Sequence, residues 1–177
     1  LIKNFISNVI NTALVFSLFF IAHAINPNEA SAACNNKQAK NALALNIYHE
    51  ARNQSIDGML MVGEVTMNRV ESDHFPDTIC GVVYQGRRDE NNNMIRHKCQ
   101  FSWYCDGSSD TPNEQEEWEL SQKIAAEIIR GDVDFLNTGA THYLNANTVS
   151  RMPRWTRVYE FVGVVGDHKF YAMGDRL

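Results

Sequence analysis

Between residues 37 and 52 the apolar side chains Leu43, Ile47 and Ala51 recur every fourth position, which predicts a helix with one face turned inward. Glu50 falls on that same face near its C-terminal end, because it follows Leu43 at two-turn spacing. Asn53-Gln54-Ser55 breaks the pattern, and Asp57 is placed to cap a second helix running to about Val70. That stretch, GMLMVGEVTMNRV, is apolar nearly all round, so it is expected at the centre of the molecule. Phe75-Pro76-Asp77-Thr78 reads as a turn and Ile79 to Tyr84 as a short helix, whereas Gly86 to Lys98 has no periodicity and reads as an exposed loop or irregular hairpin. Thr111-Pro112-Asn113-Glu114 carries the signature of a helix start, with Thr at the cap, Pro at the first position and Glu bonding back. The helix it opens, with Trp118, Ala125, Ile128 and Ile129, should stop at Gly131. Val158 to Val165 and His168 to Met173 flank Gly166-Asp167 as two strands about a hairpin turn. Helices first and a small antiparallel sheet later predict an α+β fold.

The opening residues depart from this pattern. Lys3 precedes the apolar run Ala13 to Ala22, and two small-x-small sites follow at Ala22-His23-Ala24 and Ala30-Ser31-Ala32. Residues 1–32 are therefore expected to be a signal peptide or signal-anchor, leaving 33–177 as one domain of an exported protein, in the periplasm, the cell wall or outside the cell. The four cysteines, Cys34, Cys80, Cys99 and Cys105, all lie beyond this leader, so an oxidising destination could pair them. Three pairings are possible; the local Cys99–Cys105 bridge is favoured and would leave Cys34 with Cys80, but spacing does not decide it.

With 44% apolar residues in 177 the chain can build a real core. Its 16 basic and 21 acidic side chains give a net charge of -5, which repels a polyanion and argues against nucleic acid as a partner. Membrane contact is expected only through the leader, and the protein is expected as a monomer.

Glu50 is the first candidate for chemistry. Burial disfavours its ionised form and the negative end of the helix dipole pushes the same way, which suits a proton donor near neutral pH. Periodicity alone favours the plainer reading, a partly solvated helix-end Glu, and His49 or Arg52 would lower its pKa if either faced it. His49-Glu50 begins like a zinc-protease helix, but Asn53 stands where the second His is needed, so no metal and no cofactor are expected. Gln100-Phe101-Ser102-Trp103-Tyr104 sets polar groups beside large rings, as sugar-binding surfaces do, although Phe101 and Trp103 could instead be core. Thr141-His142-Tyr143 and Trp155 share that ambiguity. Neither a serine-nucleophile elbow nor a phosphate loop is present.

Taken in order, these segments resemble the spore cortex-lytic, SleB-type family of cell-wall hydrolases. The matching residues are Ile47-Tyr48-His49-Glu50-Ala51-Arg52; Gly58 and Val65 to Val70; Phe75-Pro76 with Gly81 to Gln85; Gln100 to Trp103 with Asp106-Gly107; Gly139 to Tyr143; Pro153 and Trp155; and His168 with Phe170-Tyr171. The resemblance implies a lysozyme-like α+β catalytic domain in which Glu50 is the essential acid, acting on peptidoglycan glycan strands between N-acetylmuramic acid and N-acetylglucosamine. It implies sugar contacts from Tyr48, Gln100, Ser102, Trp103, His142, Tyr143 and Trp155. Family members are considered lytic transglycosylases or muramidases, and commonly carry Gly at the position of His49 and Gly-Glu where this chain has Asn53-Gln54. A lytic transglycosylase is the leading expectation, ahead of a hydrolytic muramidase, an amidase and a non-catalytic wall-binding module. A phage lysis enzyme or a wall-remodelling enzyme fits a leader followed by one such domain.

Overall fold

The structure, a computed structural model, describes residues 34–133 and 137–174. The expected leader lies outside them. Helix α1 (Asn36–Ala51) starts at a capping box in which the Asn35 side chain takes the Gln38 N–H and the Gln38 side chain takes the Asn35 N–H, both at 2.9 Å. Helix α2 (Ile56–Val70) is capped by Ser55, not by Asp57, which sits in the first turn where its charge suits the dipole. The short α3 (Ile79–Val83) follows from a Thr78 cap.

Gly86 to Lys98 is a hairpin of β1 (Gly86–Arg88) and β2 (Met94–Cys99), the irregular form of the two allowed by the sequence. A single 3-10 turn, Ser102–Cys105, comes next. Helix α4 begins at Gln115 and ends at Gly131, whose φ of 73° supplies the left-handed stop. The start expected at Thr111 is therefore displaced. The cause is tertiary: the Tyr48 hydroxyl accepts the N–H groups of Asn113 and Glu114 at 3.1 and 3.2 Å, and Arg52 pairs with the Glu114 carboxylate, so this segment is fixed outside the helix.

The C-terminal sheet has the order β3-β5-β4, all antiparallel, with β3 (Ala140–Asn145), β4 (Glu160–Val165) and β5 (His168–Ala172). Strand β3 has no counterpart in the sequence pattern. Val158 belongs instead to the end of a 3-10 turn at Arg154–Arg157, which shortens β4 at its start. Both outer strands carry one extra residue opposite the C-terminal half of β5, between Ala140 and His142 and between Phe161 and Gly163. Such bulges bend and twist a sheet, here so that it wraps α2.

Helix α2 lies between the helical layer and the sheet, as its all-round apolar character requires. Its partners on the helical side are Leu43, Ile47, Ala51, Ile124, Ala125 and Ile128, and on the sheet side Ala140 and Phe170. A Cβ on Gly63 would stand 2.3 Å from Ile128 Cδ1, so the missing side chain is what lets α4 come this close. Each fully buried Leu or Ile contributes roughly 1.5–3 kcal/mol, and this core dominates the stability. One polar node crosses it: Asn46, fully buried, donates to Thr66 Oγ1 and accepts from Trp103 Nε1, each at 3.1 Å. Disulfides Cys34–Cys80 and Cys99–Cys105 fasten the start of α1 to α3 and β2 to the following turn.

Candidate active site

Glu50 occupies the penultimate position of α1 and is half-buried. Its Oε2 accepts a 3.1 Å hydrogen bond from the Tyr143 hydroxyl, which reaches it from β3. Desolvation raises the carboxyl above the ordinary Glu range; the Tyr143 hydrogen bond and, to a lesser degree, the Arg69 charge oppose that rise. Tyr143 itself is pushed well above the usual phenol range by burial and by the Glu50 charge, so it stays a donor. The result is an acid that holds its proton to higher pH and retains one fixed donor for its anionic form.

Three elements build this arrangement. Helix α1 places the acid, and the bulge in β3 sets which face of the sheet Tyr143 points from. The last turn of α2 holds the bulge: Asn68 Nδ2 donates to the Ala140 carbonyl at 2.9 Å and Arg69 Nε to the Thr141 carbonyl at 2.7 Å. Tyr143 packs against all three apolar clusters of the molecule, which fixes its ring. His168, buried against the Tyr143 ring edge at 5.3 Å, is held below the ordinary His range chiefly by burial.

His142, on the other side of β3, contacts Phe75, Trp155 and Tyr159, with ring centroids 5.9, 5.4 and 4.6 Å away. Burial first and Arg69 second push its pKa down to about 4, so it is neutral under ordinary conditions. Trp155, half-buried, packs edge-on to Tyr171 at 5.2 Å. A groove of about 460 Å³ flanks the same end of α1, lined by Tyr48, His49, Arg52, Ser109, Thr111, Pro112 and Asn113. A larger hollow of about 710 Å³ lies at the opposite end of α1 beside Cys34 and Cys80, and none of the Glu50 cluster lines it.

The sequence-expected residues divide accordingly. Glu50 and Tyr143 are hydrogen-bonded, and His142 and Trp155 meet in an aromatic group on the other side of β3. Tyr48 and Trp103 are 1% and 7% exposed, with their polar atoms bonded to the segment before α4 and to Asn46. His49 covers Trp103 in a stack at 4.6 Å, and Tyr48 stands in the wall of the groove. Gln100 and Ser102 are exposed, alternating with the buried Phe101 and Trp103. Glu64 is buried and accepts from the Thr138 N–H and hydroxyl at 2.8 and 2.7 Å, while Asp106 accepts from the Ser108 N–H at 2.7 Å. No metal-binding cluster exists among the described residues. Arg69 is the participant that sequence reasoning missed. Its signal was a cation in a helix apolar nearly all round, where a charge needs a buried partner.

Fold and site together are those of an α+β domain organised about one desolvated helix-end acid. The profile of the Cell Wall Hydrolase family matches residues 53–171, and this chain belongs to that family. The match begins just after Glu50. The spore cortex-lytic enzyme of Bacillus cereus is 30% identical over 126 residues, which cover 70% of this chain and 40% of that protein. The chain thus spans about two fifths of the length of the curated relatives it matches. Among solved structures, the catalytic domain of the germination-specific lytic transglycosylase SleB from Bacillus anthracis aligns with a TM-score of 0.57 at 27% identity, covering 77% of this chain and 96% of that one. The catalytic domain of the Bacillus cereus SleB protein aligns at 0.56 and 27%, covering 80% and 95%.

Proposed function

We propose that this protein is a lytic transglycosylase that cleaves peptidoglycan between N-acetylmuramic acid and N-acetylglucosamine, with Glu50 as its single acid–base group. The observation that carries the reading is the desolvated Glu50 carboxyl with the Tyr143 hydroxyl at 3.1 Å. In its protonated form Glu50 donates to the bridging oxygen as the glycosidic bond breaks. The resulting carboxylate then removes the proton of the muramyl 6-hydroxyl, whose oxygen closes on the anomeric carbon as a 1,6-anhydro ring. The proton count returns to its starting point, and no water is consumed. Tyr143 favours the anionic half of this cycle and burial the neutral half, so the acid can serve both. The aromatic group of Trp155 and His142 supplies flat apolar surface for a sugar ring, with Gln100 and Ser102 available for its polar substituents.

Hydrolytic muramidases of the usual kind need a second carboxylate to activate water or attack the anomeric centre. Glu64 is buried and engaged by the Thr138 N–H and hydroxyl, and Asp106 accepts from the Ser108 N–H in its own turn. The likeness to the catalytic domain of the germination-specific lytic transglycosylase SleB from Bacillus anthracis points the same way. Action outside the cytoplasm, after export through the leader, and service as a phage endolysin or a wall-remodelling enzyme belong to the same proposal.

Zymography on purified sacculi, wild type beside Glu50→Gln, tests it: clearing should vanish in a variant that keeps its fold. Mass spectrometry of the released muropeptides should find anhydro ends, one water lighter than reducing ends. Persistent clearing by Glu50→Gln would remove the acid, and reducing ends would remove the transglycosylase.

A further inference from the structure

Arg69, in the last turn of α2, is 3% exposed. Its guanidinium carbon lies 5.2 Å from the Phe75 ring centroid and 5.1 Å from that of Phe101, an aromatic enclosure on two sides. Nε donates to the Thr141 carbonyl at 2.7 Å, while Nη1 is buried without an acceptor among the described residues. A residue needed only to tie α2 to the strand could do so as a neutral donor, as Asn68 does one position earlier. The full charge calls for a counter-charge in the same desolvated region. Glu64 on the same helix is engaged by Thr138, which leaves Glu50 as the acid whose field reaches Arg69.

The connectivity is short. Thr141, whose carbonyl Arg69 holds, is the extra residue of the β3 bulge, and Tyr143 two positions on delivers its hydroxyl to Glu50. We propose that Arg69 is a positioning residue for Glu50: it fixes the bulge that aims Tyr143 at the carboxyl, and it supplies the buried positive charge against which that carboxyl ionises. This rests on the acid–base reading of Glu50 and adds to it a residue that never touches substrate. The groups that act on the Glu50 carboxyl are Tyr143 from β3, by its hydrogen bond, and Arg69 from α2, by its charge. His142 stands near Arg69 and His168 against Tyr143, while His49 and Arg52 on α1 turn to the Asp110 carbonyl and to Glu114.

The test separates this proposal from the enzymatic one. Glu50 is followed by NMR in protein labelled with ¹³C at the glutamate carboxyls, its resonance assigned by its loss in Glu50→Gln. In folded Arg69→Met the carboxyl should titrate at higher pH than in wild type, and in Arg69→Lys, which keeps the charge, close to wild type. The Lys variant loses the Nε donor to the Thr141 carbonyl, so kcat on sacculi should fall on the order of tenfold with KM changed less than about twofold. Identical Glu50 titration in wild type and Arg69→Met overturns the proposal. Where Arg69→Met does not fold, a double-mutant cycle decides. Arg69→Lys should cost little more in a Tyr143→Phe background, and fully additive losses overturn the coupling. A lytic Glu50→Gln would sink the enzymatic reading while leaving the titration result to stand by itself.

Discussion

The Tyr143 hydroxyl meets Glu50 Oε2 at 3.1 Å, joining strand β3 to a helix end 93 residues earlier in the chain. Because the phenol donates, it favours the carboxylate form and works against burial. Tyr143→Phe removes that donor and should move the Glu50 titration upward. In the proposed cycle the protonated acid starts the reaction, so the alkaline limb of the pH–rate profile should move to higher pH. The maximal rate should drop on the order of tenfold, since the carboxylate needed for ring closure loses its support. An unmoved alkaline limb in the Phe variant would disconnect Tyr143 from the acid.

Glu50 also leaves a mark on stability. Its folded pKa lies above its unfolded one, so the stability it contributes is complete below the unfolded value and is lost as pH rises through the folded value. Above the unfolded pKa, Glu50 therefore costs stability that Gln does not. Glu50→Gln should melt higher than wild type at pH 7, with the gap closing toward pH 4. Thermal melts across that range check this, and a variant less stable than wild type at pH 7 contradicts it.

Glu50 was legible because helical periodicity needs only one segment: Leu43, Ile47 and Ala51 define a face and the acid falls on it. Its partners were not, since Tyr143 and Arg69 reach it through a bulge whose phase depends on pairing with β5. Without that pairing, ATHYLN shows a run of polar and aromatic residues and no alternation to assign a strand. The start of α4 was misplaced for a similar reason, a Tyr48 hydroxyl from another helix overriding a good local cap. Trp103 could be read as platform or core, and only the distant Asn46 decides for core.

The two disulfides close loops of different length, with sequence separations of 46 and 6. Loop-closure entropy makes the longer one worth about 4 kcal/mol and the shorter about 2. Replacing Cys34 and Cys80 by Ser should therefore lower the denaturation midpoint more than replacing Cys99 and Cys105. Equal losses in urea titrations would mean that the unfolded chain is not the state being constrained.

His142 titrates near 4 in the folded protein, against 6.5 for a free ring. Between those values the unfolded chain binds the extra proton, so stability declines as pH falls through that window and the slope ends near the folded value. Solvent screening of this half-buried ring reduces the effect to on the order of 1 kcal/mol. His142→Gln should flatten the acid limb of a stability–pH curve by about that amount. Direct NMR titration of the ring checks the cause, and a midpoint near 6.5 would refute it.

Gln54 lies across the β4–β5 turn: its Oε1 accepts the Asp167 N–H at 3.0 Å and its Nε2 donates to Asp167 Oδ2 at 3.1 Å. Asn147 takes the other Asp167 oxygen at 2.9 Å, so the carboxylate is held from both sides. Only an amide can accept and donate here at once. The resembled family commonly has Glu in this position, and Gln54→Glu would keep the acceptor while setting a second carboxylate against Asp167. Because the contact is exposed, the expected loss at pH 7 is only about 1 kcal/mol. The introduced carboxyl would have a folded pKa raised by Asp167, so the loss should appear as pH rises through that value and fade below the unfolded one. Added salt should shrink it, whereas the hydrogen-bond loss in Gln54→Ala should depend little on salt or pH. If Gln54→Glu proves as stable as wild type at low salt and pH 7, the amide is not what ties this turn to the end of α1.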